Sequence, residues 1–465
     1  MDYDIVAGVG PNKVLVVGAG KTGLAVASFC QQRGAAVTVT DSRTGAELHS
    51  ARESLGDRVT WQLGRHEQGS FLEADLIVVS PGVPDIKPLQ VARKKGVRIT
   101  GEIELAAGFI QAPIIGVTGT NGKSTVTALA GEIAKKTGKP TFVGGNLGTP
   151  LITAVGTPAA TGKGLVVVEL SSFQLETAEK LHPRAAAFLN LTPDHLDRYA
   201  SVEEYGAAKL KLAANLVGDD VAVVNADDPF FWAAGERLRK RTRVRTFSAR
   251  NKRDGNLRAI DGIVDGGDLV VLGERYPIGE LQLVGRHNLG NALAAILLMR
   301  GNELASYEQV RAALAAFRPL PHRMQLVGER RGLKFYDDSK ATNVDSVVAG
   351  VDGFPTPFVL IAGGRDKGGS YAPLTRALRD NRCRAVVLIG EAADKIEAAL
   401  AVDDDPAYDP IPIARATSME EAIARAVERA QPGDAVVLSP ACSSYDMFDN
   451  YEHRGRVFAT AVEAL

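Results

Sequence analysis

The sequence predicts an α/β protein of three domains in series, and three observations predict it. Short Val/Ile-rich runs alternate with helical stretches along most of the 465 residues. Two proline-marked junctions, Gln111-Ala-Pro113 and Arg318-Pro-Leu-Pro321, interrupt that alternation. The length also exceeds what one hydrophobic core of ordinary size accommodates. The three domains so defined are residues 1–111, 112–319 and 320–465.

In the first domain, Val14–Val17, Val37–Thr40, Val59–Gln62, Leu76–Ser80 and Val97–Thr100 read as strands of a parallel sheet, with helices between several of them. In the second, Ile114–Thr118, Leu165–Leu170, Ala185–Leu189 and Val221–Asn225 are near-continuous apolar runs, as expected of strands covered on both faces. Leu257 to Leu283 carries Asp-Gly and Gly-Gly turns and reads as a small antiparallel patch. Asn288 to Arg300 is a nearly all-apolar helix, expected to be central. The third domain alternates again, with strands at Phe358–Ala362, Ala385–Ile389 and Ala435–Leu438.

Composition excludes several classes. Forty-five per cent apolar and 23 per cent charged residues are the proportions of a folded globular chain. A formal net charge of −1 gives no electrostatic case for a nucleic-acid or membrane partner. No apolar run approaches the roughly 18 residues of a membrane span, and Met1-Asp-Tyr-Asp-Ile lacks the basic segment of a signal peptide. Cys30, Cys383 and Cys442 are far apart and form no CxxC pair, so packing thiols in a cytoplasmic protein are expected.

Two glycine loops carry the chemistry. Gly18-Ala-Gly-Lys-Thr-Gly23 follows the run Lys13–Val17, and Asp41 ends the next strand. That is a Rossmann-like nucleotide fingerprint: glycines permit a tight turn, and the acid can accept from a ribose hydroxyl. On these residues alone, an NAD site, another nucleotide or a packing turn all remain open. Ser80-Pro-Gly-Val-Pro84 follows a strand at the same expected sheet edge and could close over a ligand.

The second loop, Gly119-Thr-Asn-Gly-Lys-Ser124, follows Pro113–Thr118. It departs from the textual Walker pattern, which would put glycine where Val117 stands. The mechanical parts of a P-loop-type ATPase domain are present: open backbone amides, Lys123 for the β/γ-phosphates, and Ser124 or Thr125 for Mg²⁺. Glu169 ends the run Leu165–Glu169 at a strand's carboxyl end, where Mg²⁺ needs only one or two protein acids. Pro193-Asp-His-Leu-Asp-Arg-Tyr199 gathers acids, His195 and an arginine after another strand. Lys209, in Ala207-Ala-Lys-Leu-Lys-Leu212, reads from its surroundings as an ordinary solvated helix lysine.

These segments, with Glu169-Leu-Ser-Ser-Phe-Gln174, Gly285-Arg-His-Asn-Leu-Gly-Asn-Ala292, Pro321-His-Arg323 and Asp337-Asp-Ser-Lys-Ala-Thr-Asn343, resemble the Mur ligase family. Its members are ATP-dependent amide-forming enzymes of peptidoglycan synthesis. The resemblance runs through all three domains and implies a Rossmann-like fold at both ends of the chain. Thr40-Asp-Ser-Arg43, Ser80-Pro-Gly82, Gly363-Gly-Arg-Asp-Lys367 and Leu438-Ser-Pro-Ala-Cys-Ser-Ser-Tyr-Asp-Met-Phe448 resemble the member that adds D-glutamate to UDP-N-acetylmuramoyl-L-alanine.

The resemblance implies a role for each matching position. The first loop would hold UDP rather than NAD, through Lys21, Thr22, Asp41, Ser42, Arg43, Ser80, Pro81 and Gly82, with Asn146 and His195 further along the substrate. ATP would meet Gly119, Thr120, Asn121, Gly122, Lys123, Ser124, Thr125, Asn288, Asn291, Arg323, Asp338 and Lys340. Two Mg²⁺ ions would involve Ser124, Glu169, His195 and Lys209, the last as a carbamate, and Lys123, His195 and Lys209 would carry catalysis. D-glutamate would meet Thr342, Lys367, Ser444 and Tyr451, where the family's pattern has Phe at the last position. A monomer without nucleic-acid or membrane partners is expected.

Three rival classes make different demands. An NAD-dependent oxidoreductase leaves the second loop and the third domain idle. A folate polyglutamate ligase shares the central module and lacks the first domain. A non-catalytic nucleotide sensor has no use for Thr342, Lys367 and Ser444.

Overall fold

The computed structural model describes residues 13–196, 198–251, 260–401 and 410–465. Asp197 and the start of the expected 257–283 patch lie outside the described residues. Within them the chain forms two compact units. One comprises the residues through Ile263 with Val270–Tyr276 and Leu293–Leu314; the other comprises Val264–Leu269, Pro277–Ala292 and Ala315–Leu465.

The first sheet is built from Lys13–Val17 (β1), Ala36–Asp41 (β2), Thr60–Leu63 (β3), Leu76–Val79 (β4) and Arg98–Gly101 (β5). Its order is β3-β2-β1-β4-β5, with every pair parallel. Strand order reverses between β1 and β4, and such a switch point opens a crevice at the strands' carboxyl ends. The Gly18 loop follows β1 and the Ser80 turn follows β4, so both loops expected at the nucleotide flank that crevice.

The second sheet contains Ile114–Thr118 (β6), Thr141–Gly145 (β7), Leu165–Glu169 (β8), Ala185–Phe188 (β9), Gly218–Asn225 (β10) and Thr242–Asn251 (β11). Gly262–Asp265 (β12), Asp268–Val271 (β13) and Glu274–Pro277 (β14) extend it. The order is β14-β13-β12-β11-β10-β9-β6-β8-β7. The last three strands, within the expected antiparallel patch, continue the edge of the central sheet. Two-residue links at Gly266-Gly267 and Leu272-Gly273 make them hairpins. The loop after β6 sits between the ends of β8 and β9, a second switch point.

The first two sheets share one core. Buried apolar side chains run from Val14, Val26 and Phe29 through Ile103, Leu105, Leu151 and Leu175 to Phe188 and Val224. Helix Glu102–Ala107 is the bridge, and its two acids anchor it. Glu102 Oε1 accepts from Ile152 N at 2.6 Å. Glu104 accepts from the amides of Glu179, Lys180 and Leu181 at 2.9–3.1 Å.

The third sheet comprises Gln325–Arg330 (β15), Leu333–Asp337 (β16), Phe358–Gly363 (β17), Cys383–Ile389 (β18), Ile413–Arg415 (β19) and Ala435–Leu438 (β20). The order is β15-β16-β20-β17-β18-β19, with only the first pair antiparallel. Arg331 and Gly332 both have positive φ (54° and 75°), the backbone of a tight hairpin turn. Apolar side chains fill both faces, from Phe358 and Leu360 on one to Val359 and Ile361 on the other. The expected helix at Asn288 begins at Arg286, and Ala292 to Met299 are all buried within it.

Candidate nucleotide and ligase site

At the first switch point the glycines are dictated by close approach. Gly18 has φ 98°, and a Cβ there would lie 3.0 Å from Ser80 Cβ. A Cβ on Gly23 would run into the Gly18 carbonyl. Ser80 Oγ donates to Gly18 O at 3.1 Å, locking the two loops together. Asp41 is also spoken for. Its carboxylate accepts from Ala19 N (2.7 Å), Arg43 N (2.9 Å), Arg43 Nε (3.0 Å) and Arg43 Nη2 (2.8 Å). The Arg43 hydrogen bonds, with that from Ala19, hold this carboxyl well below the usual range despite its burial. In this geometry Asp41 shapes the loop, while Lys21, Ser42, Arg43 and Gly82 present exposed surface and Thr22 and Pro81 are half-buried.

The second loop is clamped from behind. Thr120 N donates to Asn190 O (2.8 Å), Asn121 N to Asn190 Oδ1 (2.7 Å), and Asn190 Nδ2 returns a bond to Asn121 O (3.0 Å). The expected open amides are corrected at two positions: those of Thr120 and Asn121 are bonded to Asn190 and hold the loop in shape. Gly122, with φ 85°, starts helix Lys123–Lys136, whose first turn carries Ser124 and Thr125, both buried. A helix N-terminus of this kind favours an anion. Asn190 went unnoticed in the sequence, although it is the first polar residue past an apolar strand, the same signal that marks Glu169.

Lys123 Nζ donates to Gly119 O (3.0 Å) and Thr120 O (2.7 Å), while Lys209 Nζ donates to the same Gly119 O at 2.8 Å. Lys209 is 1% exposed, which corrects its reading as a solvated lysine. Its amine also sits 4.1 Å from the Tyr205 ring centroid. Burial drives its pKa well below the ordinary lysine value, and the Lys123 charge adds to this against weaker support from Asp194 and Glu169. Two like charges on one carbonyl oxygen are unfavourable, and burial makes the charged form costlier on Lys209 than on a solvated lysine.

Glu169 is 2% exposed. Its Oε1 accepts from Asn146 Nδ2 at 2.6 Å, and its Oε2 is buried with no hydrogen-bond partner. An orphaned carboxylate oxygen beside a P-loop fits a hard cation. Among the described residues no three His, Cys, Asp or Glu side chains converge as a ready cage. Mg²⁺ needs none, since it retains waters and takes phosphate oxygens. His195 has φ 55°, rare for a non-glycine residue. Its ring lies 4.7 Å from that of Phe173, and Asp194 lies 3.7 Å from its Nε2.

In the other unit, the loops after β16, β17 and β20 meet at one sheet edge. Gly363 N donates to Pro440 O (2.8 Å) and Arg365 N to Ser443 O (2.9 Å). Lys367 Nζ reaches Thr342 Oγ1 at 3.5 Å, and Ser444, next to Ser443, is buried. Arg454, fully buried, donates to Ser339 Oγ, Ser339 O and Cys442 O, pinning two of these loops. The Tyr451 ring lies beneath Lys340 Nζ, 3.6 Å from its centroid. Asp338 Oδ2 accepts from Ser439 Oγ (2.7 Å) and Oδ1 from Met324 N (3.2 Å), with burial raising its pKa to about 7. Asn291 Nδ2 donates to Asn288 Oδ1 at 3.0 Å, and Arg323 is half-buried.

Two Rossmann-like switch points and a lysine-bearing P-loop define a multidomain α/β nucleotide-binding protein. Comparison with known proteins is more specific. Residues 12–101 match the Mur ligase MurD-like N-terminal domain, 117–299 the Mur ligase middle domain, and 322–442 the Mur ligase, glutamate ligase domain. The chain is 46% identical over 460 residues to UDP-N-acetylmuramoylalanine--D-glutamate ligase of Geobacter sp. (strain M21), covering 97% of each. It is 46% identical, over 96% of each chain, to the protein of that name in Anaeromyxobacter dehalogenans. Among solved structures it is similar to UDP-N-acetylmuramate-alanine ligase MurC of Thermotoga maritima (TM-score 0.60, 20% identity, 97% and 99% coverage). It is also similar to MurF of that organism in complex with ADP (TM-score 0.61, 16% identity, 92% and 95% coverage). The chain belongs to the Mur ligase family.

Proposed function

We propose that this chain joins D-glutamate to UDP-N-acetylmuramoyl-L-alanine, consuming ATP and releasing ADP and phosphate. The observation that carries the reading is the pairing, within one unit, of a Ser80-locked nucleotide loop with a P-loop backed by Lys123, Lys209 and Glu169. Identity of about 45% to ligases of that name, end to end, supports the choice of acceptor.

In this reading the alanine carboxylate attacks the γ-phosphorus of ATP, the bond to the β-γ bridging oxygen breaks, and ADP leaves. The acyl phosphate is then attacked at carbon by the D-glutamate amine. The tetrahedral intermediate collapses, phosphate departs, and the amine loses a proton as the amide forms. Lys123 stabilises charge on the transferring phosphoryl group, with Arg323 and Lys340 proposed for the same task. Glu169 Oε2 and Ser124 would hold Mg²⁺, with His195 beside them; the ion supplies neutralisation of phosphate charge. Asn146 orients Glu169 and faces the substrate.

Lys209 is proposed to react as a neutral amine with CO₂, losing one proton and becoming an anionic carbamate. Where an ammonium would repel Mg²⁺, the carbamate would serve as a ligand for it. Asn288, Asn291 and Asp338 are proposed for adenosine, and Thr342, Lys367, Ser444 and Tyr451 for D-glutamate. The domain limits at 111/112 and 319/320 belong to the same proposal, as do a monomeric state and a cytoplasmic role in cell-wall growth, shape and division.

The test is phosphate release with ATP, Mg²⁺ and UDP-N-acetylmuramoyl-L-alanine, comparing D-glutamate with L-glutamate, L-lysine and diaminopimelate. D-glutamate should be strongly preferred, and Lys123→Ala should abolish turnover. Preference for another amino acid overturns the acceptor, and near-normal Lys123→Ala activity overturns the ATP site.

A further inference from the structure

The turn that carries His195 is held by an ion pair that the reaction as written does not use. Arg198 N and Tyr199 N both donate to His195 O, at 3.0 and 3.1 Å, closing a tight turn around a residue of positive φ. Such a backbone persists only where its surroundings enforce it. The enforcing group is Glu176, just past the short helix Ser172–Leu175. Its carboxylate accepts from Arg198 Nε (2.8 Å) and Nη2 (2.5 Å) in a two-pronged pair, and from Tyr199 Oη (2.6 Å). Lys211 Nζ fixes the Glu176 carbonyl at 2.6 Å.

The guanidinium also reaches two other places. It lies 4.7 Å from the centroid of Phe173, the ring that packs on His195. Its Nη1 points at Val83 O, 3.5 Å away, in the turn that begins at Ser80. Arg198, Glu176 and Phe173 line a cleft together with Ser80, Pro81, Gly82 and Val83. One side chain thus touches the His195 turn, the ring beneath it and the loop proposed for the UDP end of the substrate.

We infer that Arg198, through its pair with Glu176, is a positioning residue that sets His195 and the Ser80–Val83 loop in register for one sugar-nucleotide substrate. The inference rests on the ligase reading above. A planar, two-pronged guanidinium is required, because an ammonium cannot meet both carboxylate oxygens while lying over a ring.

The experiment is steady-state kinetics on the full chain for Arg198→Met, Arg198→Lys, Glu176→Gln and the double variant Arg198→Met/Glu176→Gln, with thermal melting of each. Arg198→Met should raise KM for the UDP-substrate about tenfold or more and lower kcat. KM for ATP should stay within about twofold. Arg198→Lys should recover only part of the loss, and the double variant should be little worse than either single one. Equal changes in all three substrates' KM, full recovery by Lys, or additive losses would overturn the inference. Should Arg198→Met fail to fold, Arg198→Lys and Glu176→Gln decide by the same split. Failure of the wild-type chain to release phosphate with D-glutamate would instead overturn the ligase reading, a separate outcome.

Discussion

Glu102 offers a stability test that needs no substrate. Its carboxyl is buried, with Oε1 on Ile152 N and Oε2 without a partner. Burial, partly offset by backbone hydrogen bonds from Ile152 and Leu151, raises its pKa from 4.5 to about 7. The folded protein therefore holds a proton that the unfolded chain releases between these values. The associated stability is fully present below 4.5 and is lost as pH rises through about 7. At about 1.4 kcal/mol per unit, the full effect is about 3 kcal/mol, of which roughly 2–3 falls between pH 5 and 8. Glu102→Gln keeps an acceptor for Ile152 and removes the titration. Its stability relative to wild type should accordingly rise by that amount from pH 5 to pH 8. Urea unfolding followed by tryptophan fluorescence is well placed, since the two tryptophans of the chain, Trp61 and Trp232, lie in the unit that contains Glu102. A difference between variant and wild type that stays flat across this range, or moves the other way, refutes the reasoning.

Other perturbations have equally definite outcomes. Removing CO₂ from the buffer should lower turnover about tenfold or more, with recovery on adding bicarbonate, and Lys209→Met should be insensitive to both. Tyr451→Leu removes the ring under Lys340 and should raise KM for ATP about fivefold, matching about 1 kcal/mol for a cation–ring contact, whereas Tyr451→Phe should stay within about twofold. Gly119→Ala would force a side chain onto a residue of φ 152° with Leu189 Cβ 2.9 Å away, and should cost about 1–3 kcal/mol in urea unfolding. Arg454→Met leaves the Cys442 carbonyl and the Ser339 groups without their donor and should lower the melting temperature of the second unit, at about 1–3 kcal/mol.

Apolar strand runs and the residues that end them were readable from the chain. Glu169 and the Gly119 loop sit at strand ends because apolar runs stop where the sheet meets solvent and ligand. Thr141–Gly145 was missed because two glycines close it, and these look like a turn until the backbone of Glu169 is seen against Gly145. Thr242–Asn251 and Leu333–Asp337 were missed because charged residues alternate with apolar ones along them. Lys209 was misread for a different reason. A helix lysine is solvated unless other elements cover it, and here the Gly119 loop, 90 residues away, supplies the cover and the acceptor. Asp41 matches the nucleotide pattern by position, but in the folded chain Arg43 and Ala19 occupy its carboxylate.

The two acids of helix Glu102–Ala107 have a further consequence. They fasten the first sheet to loops of the second, and one apolar core runs under the sheets that carry the Ser80 turn and the Gly119 loop. In the proposed ligase reading, the interval between these loops acts as a gauge of length within one compact unit. On that reading, a sugar nucleotide that lacks the lactoyl-alanine arm would occupy the Ser80 side and leave no carboxylate at the Gly119 loop. It would be measured, found short, and act as a blocker of the true substrate.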